Sequence, residues 1–280
     1  MSDFDGARKR LILRFEAALN GYADGWSAWP AGLVGPVRHV LFGGGKRVRP
    51  LLALLAAEAV SDDAEVALPW AIAVEMIHTY SLAHDDLPAM DDDDERRGRP
   101  TCHIAYDEAH AILAGDALLT EAFQVLADAR WPAKTTVELT RLLATAAGGQ
   151  GMVGGQILDI GGELTTMQAL EHMQRLKTGA LIRSAAEGGA IAAGGSPEAV
   201  SAIRRCGEAL GLLFQITDDL IDRLQDPEED GKNVLDLVDM QGARARRDEV
   251  ARGAVEALAP LGERAELMAA LVHAVAHRDK

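Results

Sequence analysis

Two clusters of aspartates hold the side chains in this sequence whose types and spacing best suit chemistry. The first lies in His84–Thr101, which reads HDDLPAMDDDDERRGRPT and places six aspartates and one glutamate within eleven residues. Carboxylates packed this closely repel one another, so keeping all of them ionised is costly without a cation. Because Mg²⁺ prefers oxygen ligands and is often completed by phosphates, this stretch predicts a magnesium site for a phosphorylated ligand.

The second cluster is formed by Asp218, Asp219 and Asp222 in the segment FQITDDLID. Asp218 and Asp222 are four residues apart and share one helix face, on which Gln215 also lies. Apolar residues flank them, so ionised carboxylates here need a cation or a basic partner. A single charge run is most often a solvated surface. Two such clusters on separate helices favour a metal site instead.

The two clusters together suggest a specific kind of reaction. Facing one another across a cavity, they could hold Mg²⁺ ions that clamp a diphosphate from both sides. Such metals neutralise the charge that develops on a leaving diphosphate when its C–O bond ionises. Apolar cavity walls would then keep the resulting carbocation away from water.

Basic residues supply the counterpart to the acidic clusters. One group follows three glycines in GGGKRVRP, where glycine lets backbone N–H groups approach an anion closely. The basic residues in these positions are Lys46, Arg47, Arg49, Arg96, Arg97, Arg99, Lys177 and Lys232. They outnumber what one diphosphate needs, which predicts two phosphorylated substrates.

The elements that must position these residues are helices. The chain has 280 residues, of which 48% are hydrophobic and 25% charged, as in ordinary globular proteins. Alternating strand patterns are almost absent, which predicts an all-α fold. No stretch resembles a linker, so we expect a single domain over residues 1–280. Gly115 is expected to interrupt the helix that follows Thr101, and Gly151–Gly162 has a weaker helical pattern.

The overall charge and the cysteines exclude several classes of protein. The net charge of −15 argues against nucleic acid or an anionic membrane as the main partner. Cys102 and Cys206 make neither a disulfide framework nor a zinc site. The N-terminus has no apolar signal-peptide region, and no apolar run approaches the length of a membrane-spanning helix. We therefore expect a cytoplasmic protein with no stable membrane insertion.

In chain order, the motifs resemble those of the short-chain trans-isoprenyl diphosphate synthases, especially the bacterial farnesyl diphosphate synthases. The matching segments are GGGKRVRP, VEMIHTYSLAHDDLPAMDDDD, RRGRPT, AILAGDAL, KTGALIR and FQITDDLID. The resemblance implies an orthogonal helical bundle around one deep cavity, usually a homodimer. It also implies that isopentenyl diphosphate is joined head-to-tail to an allylic diphosphate, either dimethylallyl or geranyl.

The same resemblance implies a role for individual residues. Three Mg²⁺ ions, which Mn²⁺ could replace, are implied at Asp85, Asp86, Asp91 and Asp218, with Asp219 and Asp222 acting through water. The implied ligands of the allylic diphosphate are Arg96, Lys177 and Lys232. Those of isopentenyl diphosphate are Lys46, Arg49, His78 and Arg97. Thr178 and Gln215, with Lys177, are implied to line the carbocation, while the departing diphosphate takes the final proton.

Product length is implied by the residues before the first aspartate. Tyr80 is the fifth residue before Asp85, and Ser81 follows it. In enzymes that this chain resembles, a bulky residue there shortens the cavity and goes with a C15 product. A small residue would imply a C20 product, so a geranylgeranyl diphosphate synthase remains the alternative.

Two features of the C-terminal part bear on this assignment. After Lys232 the chain reads NVLDLVDM, beginning with Asn233-Val234-Leu235, where relatives usually have a small residue and threonine. The C-terminal RDK is a candidate to reach the site, as basic tails do in relatives.

Two further functions are compatible with parts of the pattern. A class I terpene cyclase shares the first aspartate motif, but replaces the second with an Asn/Asp-x-x-Ser/Thr-x-x-x-Glu pattern, whereas this chain has DDxxD. An inactive synthase subunit would lack aspartates from one or both motifs, and this chain keeps them all. Chain elongation is therefore the leading hypothesis.

Overall fold

The computed structural model describes residues 2–162, 164–225 and 233–278, and Lys232 lies outside them. The described part of the chain is almost entirely helical, which confirms the all-α prediction. Its α-helices are α1 (Ser2–Ala23), α2 (Ala31–Leu41), α3 (Val48–Val60), α4 (Leu68–Asp85), α5 (Cys102–Ala105), α6 (Glu108–Asp128), α7 (Ala133–Ala147), α8 (Met152–Gly161), α9 (Met167–Gln174), α10 (Ala180–Ala192), α11 (Pro197–Gln225), α12 (Met240–Glu256) and α13 (Glu266–Ala276).

Short elements connect these helices. A π-helical turn joins α9 to α10 over Arg175–Gly179. Two strands of two residues, β1 (Glu95–Arg96) and β2 (Arg99–Pro100), form an antiparallel hairpin after the first aspartate cluster. The 3₁₀ turns are Asp24–Ala28, Glu65–Ala67, Val234–Asp236 and Ala259–Ala265.

Helix α4 is the central element of the fold and ends at the first aspartate cluster. Pro69 lies in its first turn, where a missing N–H costs nothing. It packs against α3, α6 and α10, and its Trp70, Met76 and Ile77 side chains are fully buried. The segment Glu65–Asp85 is long and apolar enough to cross a membrane by composition, but 67% of its most apolar window is buried inside the fold. A buried core helix passes the same test.

Helix α10 lies so close to its neighbours that two glycines are required. A Cβ on Gly189 would lie 2.1 Å from the carbonyl oxygen of Ala53 in α3. A Cβ on Gly188 would lie 2.1 Å from the ring of Trp70, whose Nε1 donates to the carbonyl oxygen of Ala185 at 3.1 Å. These contacts fix α4 relative to α10 and hence the position at which α4 ends.

The expected interruption at Gly115 was wrong. Helix α6 continues through it from Glu108 to Asp128. A Cβ at this position would lie 2.1 Å from Nε2 of His84, so the glycine allows the end of α4 to pack on α6. The glycine-rich stretch after Gly151 also forms a helix, α8. In both places tertiary contact outweighs the low helix propensity of glycine.

Candidate active site

The first aspartate cluster sits where α4 ends and the chain turns back on itself. The backbone N–H of Asp91 donates to the carbonyl oxygen of Asp85 at 2.8 Å, and that of Asp93 to the carbonyl oxygen of Asp86 at 3.2 Å. Arg96, on β1, pairs with the Asp86 carboxylate at 2.6 Å and with Asp93 at 3.2 Å. The turn thus folds the exposed Asp91 back over the end of α4.

Burial makes the ionised form of these carboxylates costly. It raises the pKa of Asp85 to about 6, and the charges of Asp91 and Asp86 add to this effect while Lys177 opposes it. Burial also raises the pKa of Asp86 and, in the second cluster, that of Asp218. A divalent cation would relieve this cost, and carboxylate oxygens are the donors that Mg²⁺ prefers.

The described residues contain no group of three His, Cys, Asp or Glu side chains already converged as a metal site. Further oxygen ligands would have to come from a phosphate or from water. That donor set suits Mg²⁺, which keeps several waters and is usually held by one or two carboxylates plus phosphates. The residues therefore fit an ion that arrives with a phosphorylated ligand.

The second cluster lies in the last turns of α11 and meets the C-terminal segment. Arg278 pairs with Asp218 at 2.5 Å and donates to the carbonyl oxygen of Phe214 at 3.1 Å. Its guanidinium carbon lies 4.0 Å from the centre of the Phe214 ring. The expectation that the C-terminal basic residues reach the site is confirmed for Arg278. Asp219 is half-buried and Asp222 is exposed.

A cleft of about 510 Å³ brings together the basic residues assigned to isopentenyl diphosphate. Its lining includes Lys46, Arg49, His78 and Arg97, with Asp218 at one side. Burial lowers the pKa of Arg49 to about 10, and the Arg49 Nε has no hydrogen-bond partner among the described residues. Burial, and then the charge of Arg49, lowers the pKa of His78 well below its usual range. The cleft therefore places His78 beside several cations, a combination that suits an anionic ligand.

Arg47 has a different role from its basic neighbours. It is only 5% exposed, and it pairs with Glu75 at 2.8 Å and Glu16 at 2.7 Å. It also donates to the carbonyl oxygen of Leu41 at 2.9 Å. These partners occupy Arg47, so it ties α1, α3 and α4 together.

The glycines before Lys46 make room for a side chain. A Cβ on Gly45 would lie 2.6 Å from the guanidinium of Arg97, which hydrogen-bonds the Gly44 carbonyl oxygen. Gly45 has a φ of +126°, a backbone conformation that favours glycine. Glycine here therefore allows Arg97 to reach the cleft.

A second cavity, of about 330 Å³, is mainly apolar and opens beside the basic cleft. Arg49 and His78 line both spaces. Asp85 lines this cavity as well, and so do Tyr80 and Ser81. The other lining residues are Leu82, His84, Met90, Met152, Val153, Gln156, Ile157, Ile160, Lys177 and Thr178. An anionic group and an apolar chain can thus be held side by side.

Lys177 and Thr178 are held at this cavity by a tightly packed π-helical turn. A Cβ on Gly155 would lie 2.1 Å from the backbone nitrogen of Lys177. On the other side, a Cβ on Gly211 would lie 2.6 Å from the Cα of Gly179. Single π turns inside helices occur frequently at functional sites. The two glycines fix where this turn lies between α8 and α11.

Two residues of this site were not predicted from the sequence. Gln156 donates to Oδ1 of Asp85 at 3.1 Å, and Asp159 pairs with the Nζ of Lys177. They are three residues apart on α8 and therefore share a face. That spacing, in GGQILDI, was the one available signal. Gln215 is half-buried on α11 and is not among the lining residues of either cavity.

The comparisons with known proteins agree with this geometry. The family model for polyprenyl synthetase matches residues 31–242. The chain belongs to the polyprenyl synthetase family. The farnesyl diphosphate synthase of Micrococcus luteus is 45% identical over 229 residues, which are 81% of this chain and 77% of the relative. The geranylgeranyl diphosphate synthase of Cyanophora paradoxa is 44% identical over 210 residues, 73% of this chain and 70% of the relative.

Solved structures extend the similarity over nearly the whole polyprenyl synthetase chain. A geranyltransferase from Legionella pneumophila superposes with a TM-score of 0.90 at 33% identity, covering 98% of this chain and 97% of that one. An FPP/GFPP synthase from Zymomonas mobilis superposes with a TM-score of 0.88 at 33% identity, covering 96% of this chain and 98% of that one. The assignments to the isoprenoid synthase fold and to the prenyltransferases are confirmed.

The contact between Gly155 and Lys177 yields a stability prediction. In Gly155→Ala, the added Cβ would collide with backbone that cannot move aside alone, so we expect the free energy of unfolding to fall by about 1–3 kcal/mol. Chemical denaturation measures it. Gly161→Ala is the control on the same helix, because a Cβ there meets nothing within 4 Å. Equal stability of both variants would contradict the packing described here.

Proposed function

We propose that this polyprenyl synthetase condenses isopentenyl diphosphate with dimethylallyl and geranyl diphosphates, and that farnesyl diphosphate is its main product. The observation that supports this most directly is the pair of adjoining spaces that share Arg49 and His78. One space is basic and the other apolar, and each borders an aspartate cluster. A reaction between two diphosphates, one of which carries a growing apolar chain, needs this combination.

The aspartates are proposed to hold Mg²⁺, with Mn²⁺ as a possible substitute. Asp85, Asp86 and Asp91 would supply ligands from the end of α4, and Asp218 from α11. Asp219 and Asp222 would act through water. When bound, the ions neutralise the charge that develops on the leaving diphosphate. The family resemblance implies three ions per site.

The basic residues are proposed to divide between two diphosphates. Lys46, Arg49, His78 and Arg97 would hold isopentenyl diphosphate, because they share one cleft. Arg96, Lys177 and Lys232 would hold the allylic diphosphate, Lys232 from outside the described residues. Thr178 and Gln215, with Lys177, would stabilise the carbocation, and the departing diphosphate would accept the proton. Apolar cavity walls exclude water from the cation.

Two alternatives fit the site less well. A class I terpene cyclase needs one diphosphate, whereas the cleft gathers four residues suited to a second. A C20 synthase shares every proposed step, and relatives at similar identity include geranylgeranyl diphosphate synthases. We favour C15 because Tyr80, a bulky side chain, lines the apolar cavity close to Asp85.

Product analysis tests the proposed function. The protein is incubated with Mg²⁺, labelled isopentenyl diphosphate and either allylic diphosphate, and the dephosphorylated alcohols are resolved. We expect farnesol as the end point and no product when EDTA removes the metal. Geranylgeraniol as the end point would transfer the assignment to the C20 alternative. A cyclic hydrocarbon, or no elongation, would overturn the proposal.

Removing one carboxylate from either cluster should abolish most turnover. For Asp85→Ala and Asp218→Ala we expect kcat/KM to fall by about 100-fold or more, as for other losses of electrostatic stabilisation in a transition state. Circular dichroism should show an intact fold in both. Asp5→Ala, on the exposed face of α1, is the control with unchanged kinetics. Full activity in either cluster variant would remove that residue from the metal site.

Shortening the side chain at the cavity wall should lengthen the product. In Tyr80→Ala we expect C20 and longer alcohols, because the apolar cavity gains the volume of the phenol ring. Chromatography of the dephosphorylated products measures the chain length. Tyr106→Ala serves as control, because Tyr106 does not line this cavity. An unchanged C15 product would show that another residue limits the chain.

We also propose a cytoplasmic homodimer with a single domain over residues 1–280. Buried apolar residues from Phe4 to Ala276 form one core cluster, which supports one domain. Large apolar side chains remain exposed on α6 and α8, among them Ile112, Leu113 and Ile160. Exposed apolar patches commonly mark contact with another protein.

The dimer is tested by sedimentation. We expect the wild-type protein to sediment as a dimer, and Leu113→Glu to shift toward monomer because a charge would be buried in the interface. Leu113 is 56% exposed, so the substitution should not disturb the fold of one chain. The matched control is Leu13→Glu, at a residue 61% exposed on α1. A wild-type monomer, or equal dimerisation of both variants, would contradict this interface.

A further inference from the structure

One aspartate of the second cluster makes a set of contacts that the other two lack. Oδ2 of Asp219 accepts hydrogen bonds from Nε2 of Gln174 at 3.1 Å and from the backbone N–H of Val234 at 2.9 Å. Its backbone carbonyl oxygen accepts from Nδ2 of Asn233 at 2.9 Å. We call these four residues the Asp219 network. It joins α11 to the last residue of α9 and to the 3₁₀ turn before α12.

Both ends of the Asp219 network are fixed by further contacts. Gln174 is 3% exposed and directly precedes the π-helical turn that carries Lys177. On the other side, Asn233 caps its turn: its Oδ1 accepts from the N–H of Leu235 at 2.9 Å, and its own N–H donates to Asp236 at 3.1 Å. Asp236 pairs in turn with Arg223 of α11. The network therefore connects two ordered segments.

The two side-chain bonds of Asp219 end on a single oxygen. Oδ2 accepts both of them, and Oδ1 has no protein donor among the described residues. An asparagine could place its one carbonyl oxygen where Oδ2 lies and keep both bonds. An alanine would lose both and leave a buried amide without its acceptor, which is costly.

We infer that Asp219 is a positioning residue, which holds the Lys177 turn and the Asn233 turn against the second aspartate cluster, and that Asn233 is its partner on the loop. This inference rests on the proposed function, because Lys177 and the neighbouring Lys232 are assigned there to the allylic diphosphate. It also gives a role to the start of the NVLDLVDM stretch. Asn233 anchors the chain one residue after Lys232.

Thermal melting in EDTA tests the network without any turnover. If Asp219 served only a metal, Asp219→Ala would relieve repulsion among three like charges and raise the melting temperature. As a positioning residue, it should lower the melting temperature by about 4 °C or more relative to the wild type. Asp219→Asn should melt within about 1 °C of the wild type or above it.

Asp222→Ala is the matched control for the melting test. Asp222 belongs to the same cluster and makes no side-chain hydrogen bond within the described residues, so its removal should not lower the melting temperature. Asp219→Ala melting at or above the wild type would overturn the inference. So would Asp219→Asn melting as low as Asp219→Ala.

Kinetics of Asn233 variants separate positioning from capping. Asn233→Ala should raise KM for the allylic diphosphate about tenfold, with kcat changed less than about twofold. Asn233→Asp keeps the oxygen that caps the turn but loses the N–H donor to the Asp219 carbonyl oxygen. Its melting temperature should therefore match that of the wild type, while its KM for the allylic diphosphate should stay raised. An unchanged KM in Asn233→Ala, or a wild-type KM in Asn233→Asp, would overturn the role of this bond. If the wild type elongates nothing, the proposed function fails while the melting test still decides the network.

Discussion

The cost of burying ionised carboxylates at the ends of α4 and α11 is the constraint on which the rest of this structure depends. Burial raises the pKa of Asp85 to about 6, and the neighbouring aspartates add to that cost. Protein cations offset part of this cost, because Arg96 pairs with Asp86 and Arg278 pairs with Asp218. Such pairs hold the acidic residues in place but satisfy only part of their oxygens. A cation that brings its own phosphate and water ligands would complete the arrangement.

The same electrostatic reasoning explains why the basic residues differ in role. Arg47 is neutralised by Glu75 and Glu16, so its charge stabilises the contact between helices. Arg49 is half-buried, its Nε has no hydrogen-bond partner among the described residues, and burial lowers its pKa. A buried N–H without an acceptor is costly to maintain. Two arginines separated by one residue thus differ in their partners, and only Arg49 keeps an N–H group that a ligand could bind.

Close backbone contacts set the precision of the site. Gly155 and Gly211 allow α8 and α11 to approach the Lys177 turn from opposite sides. Gly115 does the same for the contact between α6 and the end of α4. Each glycine costs helix propensity, about 1 kcal/mol relative to alanine, and packing offsets that cost. Asp85 and Asp218 therefore lie on closely packed helices, which position side chains more reliably than loops do.

The sequence by itself determined the helical fold, both aspartate clusters and the grouping of basic residues, because these follow from local spacing and composition. A four-residue spacing puts Asp218 and Asp222 on one face whatever surrounds the helix. Only the tertiary structure decided which helices face each other. It paired Gln156 with Asp85 across 71 residues, tied up Arg47, and turned Asp219 toward Gln174 and the Asn233 turn. Local patterns do not identify these pairs, since the partners are brought close by packing and not by spacing along the chain.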